Sequence, residues 1–493
     1  MTTENLKQKT FGGLIWMFLE RIGAQLVTFV VSLVLARILI PEDYGIVSLA
    51  LIFINLANIF VVQGLNAALI QRKNVSDLEY STAFYSNSII SICLFVILFI
   101  FSPIIAAYYG LEQLAPIFRV LALRIPIGAI NSIQRAYVSR NLLFKKFFFS
   151  TLGGTIVSAF VGIGMAMFGF GPWAIVGQYL TNSSIDTIVL WFTVKWRPKR
   201  LFSFKCLKEM FSFSWKVFAA AFFNEVYLEL RSMIIGKKYS SEDLAFYNRG
   251  KQFPQIFYTN IASAITSVMF PVMSMKKDDN EGLKRNLSSV ISTTCYVLFP
   301  VLFGLAMVSN PLVEIILTKK WLPCVPFLQA YCVSYAILPL QSIQEQLYKA
   351  KGRSDIVLKL FFIEKAVGIV IILFTMRISV WAMALGMLGT AIFSTIVHTI
   401  PMKSVIGYSI KDLIKDIFPG LSLSLLMVSV IFAVSFIPIN SVLLLVLQIV
   451  TGVVIYFMIS LIFKSQQLKA LIDLVEMKLC FKALNRVKNK FYK

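Results

Sequence analysis

Between residues 11 and 463 the chain is mostly apolar, yet ionisable and amide side chains recur inside the apolar runs at helix-like spacings. Glu20 and Arg21 stand side by side within "FGGLIWMFLERIGAQLVTFVVSLVLA". Further along, at about 100° per residue, Arg124, Asn131 and Arg135 fall on one stripe. Lys216, Asn224 and Arg231 share another stripe, with Glu225 and Glu229 on a second face of the same run at i, i+4. Asn55, Asn58 and Asn66 line up in an earlier run. A charge at the centre of a bilayer helix costs about 2.5–3.5 kcal/mol on insertion scales, so such residues turn toward the bundle interior or a wet cavity.

The chemistry this set suggests is the binding of an anion. Eight basic residues lie inside the runs (Arg21, Arg119, Arg124, Arg135, Lys216, Arg231, Lys359 and Lys365) against six acidic ones (Glu20, Asp186, Glu225, Glu229, Glu345 and Glu364). Packing by salt bridges needs no such excess, whereas a cavity for an anionic group does. Arginine suits phosphate because its planar fork bonds two oxygens at once. The plainer alternative is that Glu20 with its basic neighbour, or Glu229 with Arg231, forms an interhelical salt bridge. The Asn set would then be hydrogen-bonding glue. Arg135, Lys216 and Lys359, near run ends, would snorkel to the interface.

The elements that position these residues are membrane helices. Of the 493 residues, 58% are hydrophobic and 14% charged, against about 25% charged in a soluble domain. Fourteen apolar runs, each near the roughly 20 residues that span hydrocarbon, define an all-α polytopic membrane protein. Those that matter most here are 11–36, 44–70, 114–138, 173–194, 211–236, 413–437 and 441–463. The first run has no small-residue cleavage site and reads as an uncleaved span. Six scattered cysteines without a CxxC pair, and a single histidine, His398, supply metal sites and His-dependent catalysis poorly. No metal or cofactor is expected. The net charge of +23 sits between the runs and in the tail, as orientation signals do, and does not suggest nucleic acid.

An even number of spans puts both termini on one side. That side collects "RK" at 72–73, "RNLLFKK" at 140–146, "KWRPKRLFSFKCLK" at 195–208, "KKDDNEGLKR" at 276–285 and "KAKGR" at 349–353. By the positive-inside rule it is cytoplasmic. "PEDYG" at 41–45 and "SEDLA" at 241–245 recur in the first outward loop of each half, which implies two six-helix lobes related by a parallel repeat. The expected layout is an N-lobe over 1–200 with spans 1–6 and a C-lobe over 201–405 with spans 7–12. Two additional spans follow over 406–463, then a basic amphipathic cytoplasmic tail over 464–493 that lies on lipid.

The stretches "SLVLARILIPEDYGIVSLA" (32–50), "GLNAALIQRKNVSDLEYSTAFYSN" (64–87), "FYNRGKQFPQIFYTNIASAITSVMFPVMSM" (246–275) and "QEQLYKAKGRSDIVLKL" (344–360) carry a resemblance. Together they resemble the polysaccharide transporter family, the Wzx/WzxC type of lipid-linked oligosaccharide flippase. This family lies within the multidrug/oligosaccharidyl-lipid/polysaccharide exporter superfamily, and the similarity spreads over about residues 5–463. It implies two lobes around a central cavity, alternating access, and undecaprenyl pyrophosphate bearing an oligosaccharide repeat unit as substrate. By position it implies that Arg21, and Arg231 or Lys216, meet the pyrophosphate.

The expected function is therefore a flippase of the bacterial cytoplasmic (inner) membrane, multi-pass with both termini cytoplasmic, serving surface polysaccharide (O-antigen or exopolysaccharide) synthesis. It is a transporter and not an enzyme. Arg21, Arg124, Arg231 and Lys216 would hold pyrophosphate. Asn55, Asn58, Asn66 and Asn224 would contact sugar, and Glu20, Glu225 or Glu229 a coupling ion. Partners to expect are the lipid-linked glycan, membrane lipid, and the polysaccharide polymerase and chain-length machinery. Rival readings are a lipid II-type flippase, a cation-coupled drug antiporter, which would want an acidic cavity, and a membrane-embedded glycan polymerase or ligase. The last would normally carry a large outward loop, and the longest here is about 237–252.

Overall fold

Along Ser441–Ile462 the residues turned inward are Gln448, Gly452, Tyr456 and Ser460, spaced four apart, while Leu443, Val446, Val453 and Leu461 stand exposed. A surface helix in water does the reverse. Small and polar inside with aliphatic outside is the pattern of a helix solvated by lipid, where close packing and hydrogen bonds hold helices together. Exposed Phe160, Phe192 and Phe374 repeat the pattern elsewhere.

The structure is a computed structural model that describes residues 3–62, 65–72, 75–463, 465 and 467–469. All regular structure among the described residues is helical. By packing, the chain divides into two compact units, Met1–Ala245 and Phe246–Lys493. The first contains α1 (Thr3–Ile38), α2 (Pro41–Val62), α3 (Leu65–Gln71), α4 (Asp77–Tyr109), α5 (Leu114–Ala122), α6 (Arg124–Arg140), α7 (Phe144–Met167), α8 (Pro172–Thr193) and α9 (Phe204–Lys238). The boundary falls inside α10 (Ser241–Met275). The second unit continues with α11 (Asn280–Met307), α12 (Ser309–Leu317), α13 (Val325–Ala350), α14 (Ser354–Thr375), α15 (Val380–Thr399), α16 (Met402–Ile406), α17 (Ile410–Val434) and α18 (Ser441–Ile462).

Among the described residues, eleven helical stretches are long and apolar enough to cross a membrane. Together with α8, α9 and α14 they coincide with the fourteen apolar runs. Those three are diluted by polar residues, such as "QYLTNSSID" in α8. One run read as a single span is broken: the run 114–138 divides at Leu123 into α5 and α6. Pro126 disfavours helical geometry in the residue before it and lacks the N–H of a helix interior, so a new helix starting at Arg124 places it in the first turn, where that N–H is not needed.

The two "ED" motifs are not loops but first helical turns. Asp43 Oδ2 accepts from Ile40 N at 3.3 Å at the head of α2, and Asp243 Oδ2 accepts from Ser240 N at the same distance at the head of α10. Each carboxylate closes an otherwise unsatisfied donor and sits at the positive end of the helix dipole. The division by packing comes later than a repeat boundary at 200 because α9 lies on α2, with Phe60 against Phe218 and Phe222 at 4.4 and 5.6 Å between ring centroids.

In the first unit α7 and α8 are the most intimately packed pair. A Cβ on Gly154 would lie 3.0 Å from Asn182 O, and one on Gly162 would lie 2.9 Å from Gln178 Cβ. Small residues on α7 thus let the polar face of α8 approach. In the second unit α11 packs on α17, and α13 lies between α11 and α15.

The charged loops assigned to one side converge within each unit. Arg72 pairs with Glu79 and Glu209, Arg140 donates to Leu69 O at 2.9 Å, and Lys199 pairs with Asp77 at 2.5 Å. In the second unit Lys284 reaches Gly407 O at 2.8 Å and Asp412 at 3.1 Å, while Lys351 reaches Asn280 Oδ1 at 2.6 Å. The expected amphipathic tail lies outside the described residues from 470 onward.

Candidate functional site

The helix break at Leu123 puts Arg124 at the head of α6, facing α8. Its Nε donates to Ser183 Oγ at 3.2 Å, and its guanidinium carbon lies 4.8 Å from the Tyr179 ring centroid. A hydroxyl and a ring face leave its positive charge uncancelled, and no carboxylate pairs with it among the described residues. Two turns along α6 the situation differs. Asn131 Nδ2 and an Arg135 terminal nitrogen both donate to the same Asp186 oxygen, at 2.6 and 2.9 Å. Asp186 is buried on α8 and fixes both side chains. Arg135, also over the Phe147 ring at 5.5 Å, is therefore spoken for by an ion pair, whereas Arg124 is available to an anion.

The amide residues spread over three helices. Asn58 of α2 lies beside α6, its Oδ1 3.7 Å from where a Cβ on Gly128 would be, one turn from Arg124. Asn55 is exposed on α2, and Asn66 is buried on α3, its Oδ1 without a hydrogen-bond partner among the described residues.

On α9, Lys216 is exposed, and Asn224, Glu225 and Glu229 are half-buried. Arg231 is 4% exposed, with its guanidinium carbon 5.9 Å from the Tyr227 ring centroid. On α1, Arg21 is exposed and Glu20 half-buried, and α1 rests on α7 near Gly23 and Leu152.

The second unit holds an apolar groove of about 950 Å3. Phe257 of α10, Val301 and Gly304 of α11, Met427 of α17, and Gly452 and Tyr456 of α18 are among its lining residues. Met427, Gly452 and Tyr456 come from the two additional spans over 406–463, and individually they are ordinary residues. Ser183 and Tyr179, the partners of Arg124, were missed; a polar interruption in the apolar run 173–194 was the only pointer to them.

Residues 34–326 match the family described as polysaccharide biosynthesis protein. The chain belongs to that family. Within the polysaccharide biosynthesis family it is 27% identical over 433 residues to the lipopolysaccharide biosynthesis protein WzxC of Escherichia coli (strain K12), covering 85% of this chain and 86% of the relative. It is 26% identical over 437 residues to an uncharacterized membrane protein in the cps region of Klebsiella pneumoniae, covering 84% and 86%. Among solved structures, the fold is similar to the lipid II flippase MurJ in an inward closed conformation. The TM-score is 0.72 at 18% identity, over 92% of this chain and 98% of that one. The polysaccharide biosynthesis protein described here thus has the fold of that transporter and is a multi-pass membrane protein.

Proposed function

We propose that this chain is a flippase that carries undecaprenyl-pyrophosphate-linked oligosaccharide repeat units across the bacterial cytoplasmic membrane by alternating access, for surface polysaccharide synthesis. The observation that carries this reading is Arg124, a cation held over Tyr179 and beside Ser183 with no carboxylate among the described residues to cancel it. Family membership supplies the class of substrate, and the likeness to MurJ supplies the transporter fold.

The head group enters with its pyrophosphate on Arg124, Arg21, Arg231 and Lys216. The sugars meet Asn55, Asn58, Asn66 and Asn224, and Glu20, Glu225 and Glu229 stand as acidic companions to the basic set. The prenyl chain stays in lipid and lies in the groove between α11 and α18, whose lining is almost wholly apolar. Both termini are cytoplasmic, on the side where the basic loops converge. The lobes are 1–200 and 201–405, with 406–463 added. Partners are the glycan lipid, the bilayer, and the polymerase and chain-length machinery that use the product.

The direction follows from charge. Moving one charge across 100 mV is worth about 2.3 kcal/mol, so a doubly anionic pyrophosphate leaving a negative interior gains about 4.6 kcal/mol if both charges cross the whole field. No P-loop is present to supply ATP energy.

The test is a strain lacking the chain, with the cytoplasmic synthesis of the glycan lipid intact. The expected result is a lipid-linked single repeat unit accumulating on the cytoplasmic face and no surface polymer, both reversed by the wild-type chain. Normal polymer in that strain contradicts the proposal.

A further inference from the structure

The chain's only histidine is buried in the second unit, amid ionisable groups that the proposed substrate path does not use. His398 of α15 is 1% exposed. Its Nδ1 lies 2.8 Å from Ser394 O, a carbonyl that only accepts, so Nδ1 carries the hydrogen. That leaves Nε2 as the atom that gains or loses a proton, and it faces Glu345 Oε1 of α13 at 3.9 Å. A bare nitrogen lone pair opposite a carboxylate repels; an N–H there attracts. The contact between α13 and α15 is therefore favourable with one proton present and unfavourable without it.

The surrounding carboxylates have cationic partners. Lys349 lies 3.2 Å from Glu345, and Lys365 lies 3.3 Å from Glu364 of α14. Gln341 donates to both carboxylates, and Ser394 Oγ, 3.4 Å from the His398 ring, donates to Glu364 at 3.0 Å. Tyr348 donates to the His398 carbonyl oxygen, and Tyr258 of α10 bonds Ser342 beside them. Among the described residues, the polar contacts of the ring are with Ser394 and Glu345, and none comes from α16 or α17, which also touch α15. With Lys349 on Glu345 and Lys365 on Glu364, the imidazole proton is a further charge that this group can take up or release. Histidine is the side chain that changes charge between about pH 5 and 8. Among the described residues no group of three or more His, Cys, Asp or Glu is placed to hold a metal ion, so the ligand that fits is a proton.

We propose that His398 and Glu345 form a proton-binding site that couples proton movement to the transport cycle, an inference that rests on the transport reading above. Nε2 takes H+ from water by way of Glu345, whose side chain is 27% exposed. The imidazolium then pairs with the Glu345 carboxylate and pins α13 to α15. Release breaks the same N–H bond, returns the proton to water and frees that contact.

The site is tested on the full-length chain, purified without a histidine tag, labelled with 15N-histidine and held in lipid nanodiscs. The single imidazole is followed by NMR from about pH 5 to 8.5. The expected result is an imidazole whose 15N signals respond to pH in the wild type and respond differently in Glu345→Gln and in Lys349→Gln. A response that both neighbours alter in folded protein is not produced by a merely structural role. An imidazole that does not titrate, or that titrates identically in all three proteins, overturns the site.

Coupling is read separately, as glycan export with and without an inward proton gradient. Export by His398→Gln is expected to lose the stimulation that the wild type shows, and retained stimulation overturns the coupling. If the wild type exports no glycan, the transport reading fails, and the NMR titration still decides the site.

Discussion

Gly45 of the first "ED" motif sits against Ser241 of the second: a Cβ built on Gly45 would lie 1.8 Å from the Ser241 carbonyl oxygen. Two motifs 200 residues apart in sequence thus meet backbone to backbone, with Asp43 and Asp243 capping the two helices alike. The obstacle is backbone, so it cannot swing aside as a side chain would. Gly45→Ala is expected to cost at least the roughly 1–3 kcal/mol of an overpacked core. Gly153→Ala, whose Cβ meets nothing within 4 Å, is expected to be neutral or slightly stabilising. Melting temperatures of the two purified variants check this; equal values would contradict the close contact.

Asp186 is a structural clamp, and its loss strands two donors. Asp186→Ala leaves Asn131 and Arg135 without their shared acceptor, at an expected cost of about 1–3 kcal/mol. Since Arg135 is partly exposed, the double variant with Arg135→Gln should recover part of that loss, giving a coupling energy of about 0.5–3 kcal/mol in a double-mutant cycle. Export per folded molecule should persist. Additive stabilities would show that the pair does not interact.

These two cases mark how far the sequence could be read. The helices were legible because apolarity lasting about 20 residues has one physical use. Helical arithmetic also puts Arg124, Asn131 and Arg135 on one face, and all three turn to α8 in the structure. Their partners were not legible, since spacing along one helix says nothing of which residue on another stands opposite. Arg124 meets a neutral hydroxyl and Arg135 a carboxylate, a difference that leaves one cation uncancelled and the other paired among the described residues. The break at Leu123 was hidden because hydropathy continues through it, with Pro126 the one local signal. The polar group around His398 was visible only as isolated residues in three separate runs.

Arg21 and Arg231 extend the basic set to α1 and α9. Arg21→Ala and Arg231→Ala proteins that reach the membrane in normal amount are expected to fail in glycan export, measured as surface polymer. Normal polymer from both would remove these residues from the pyrophosphate site.

The groove makes a prediction about chain length. Val301 lines it, and Val301→Trp fills part of it. Affinity for a long-prenyl substrate should fall about tenfold, the worth of roughly two buried methylenes. An analogue with a short prenyl chain should bind the variant and the wild type equally. Equal loss for both analogues would place the prenyl chain elsewhere.

The central claim is that Arg124 binds the pyrophosphate, and the affinity of purified protein for a prenyl-pyrophosphate-linked oligosaccharide tests it most directly. A hydrogen bond to a charged group contributes about 1.5–3 kcal/mol, so Arg124→Gln should weaken binding by roughly 10- to 150-fold. Arg135→Gln, already paired with Asp186, should leave the affinity within about threefold. Unchanged affinity in Arg124→Gln would contradict the account.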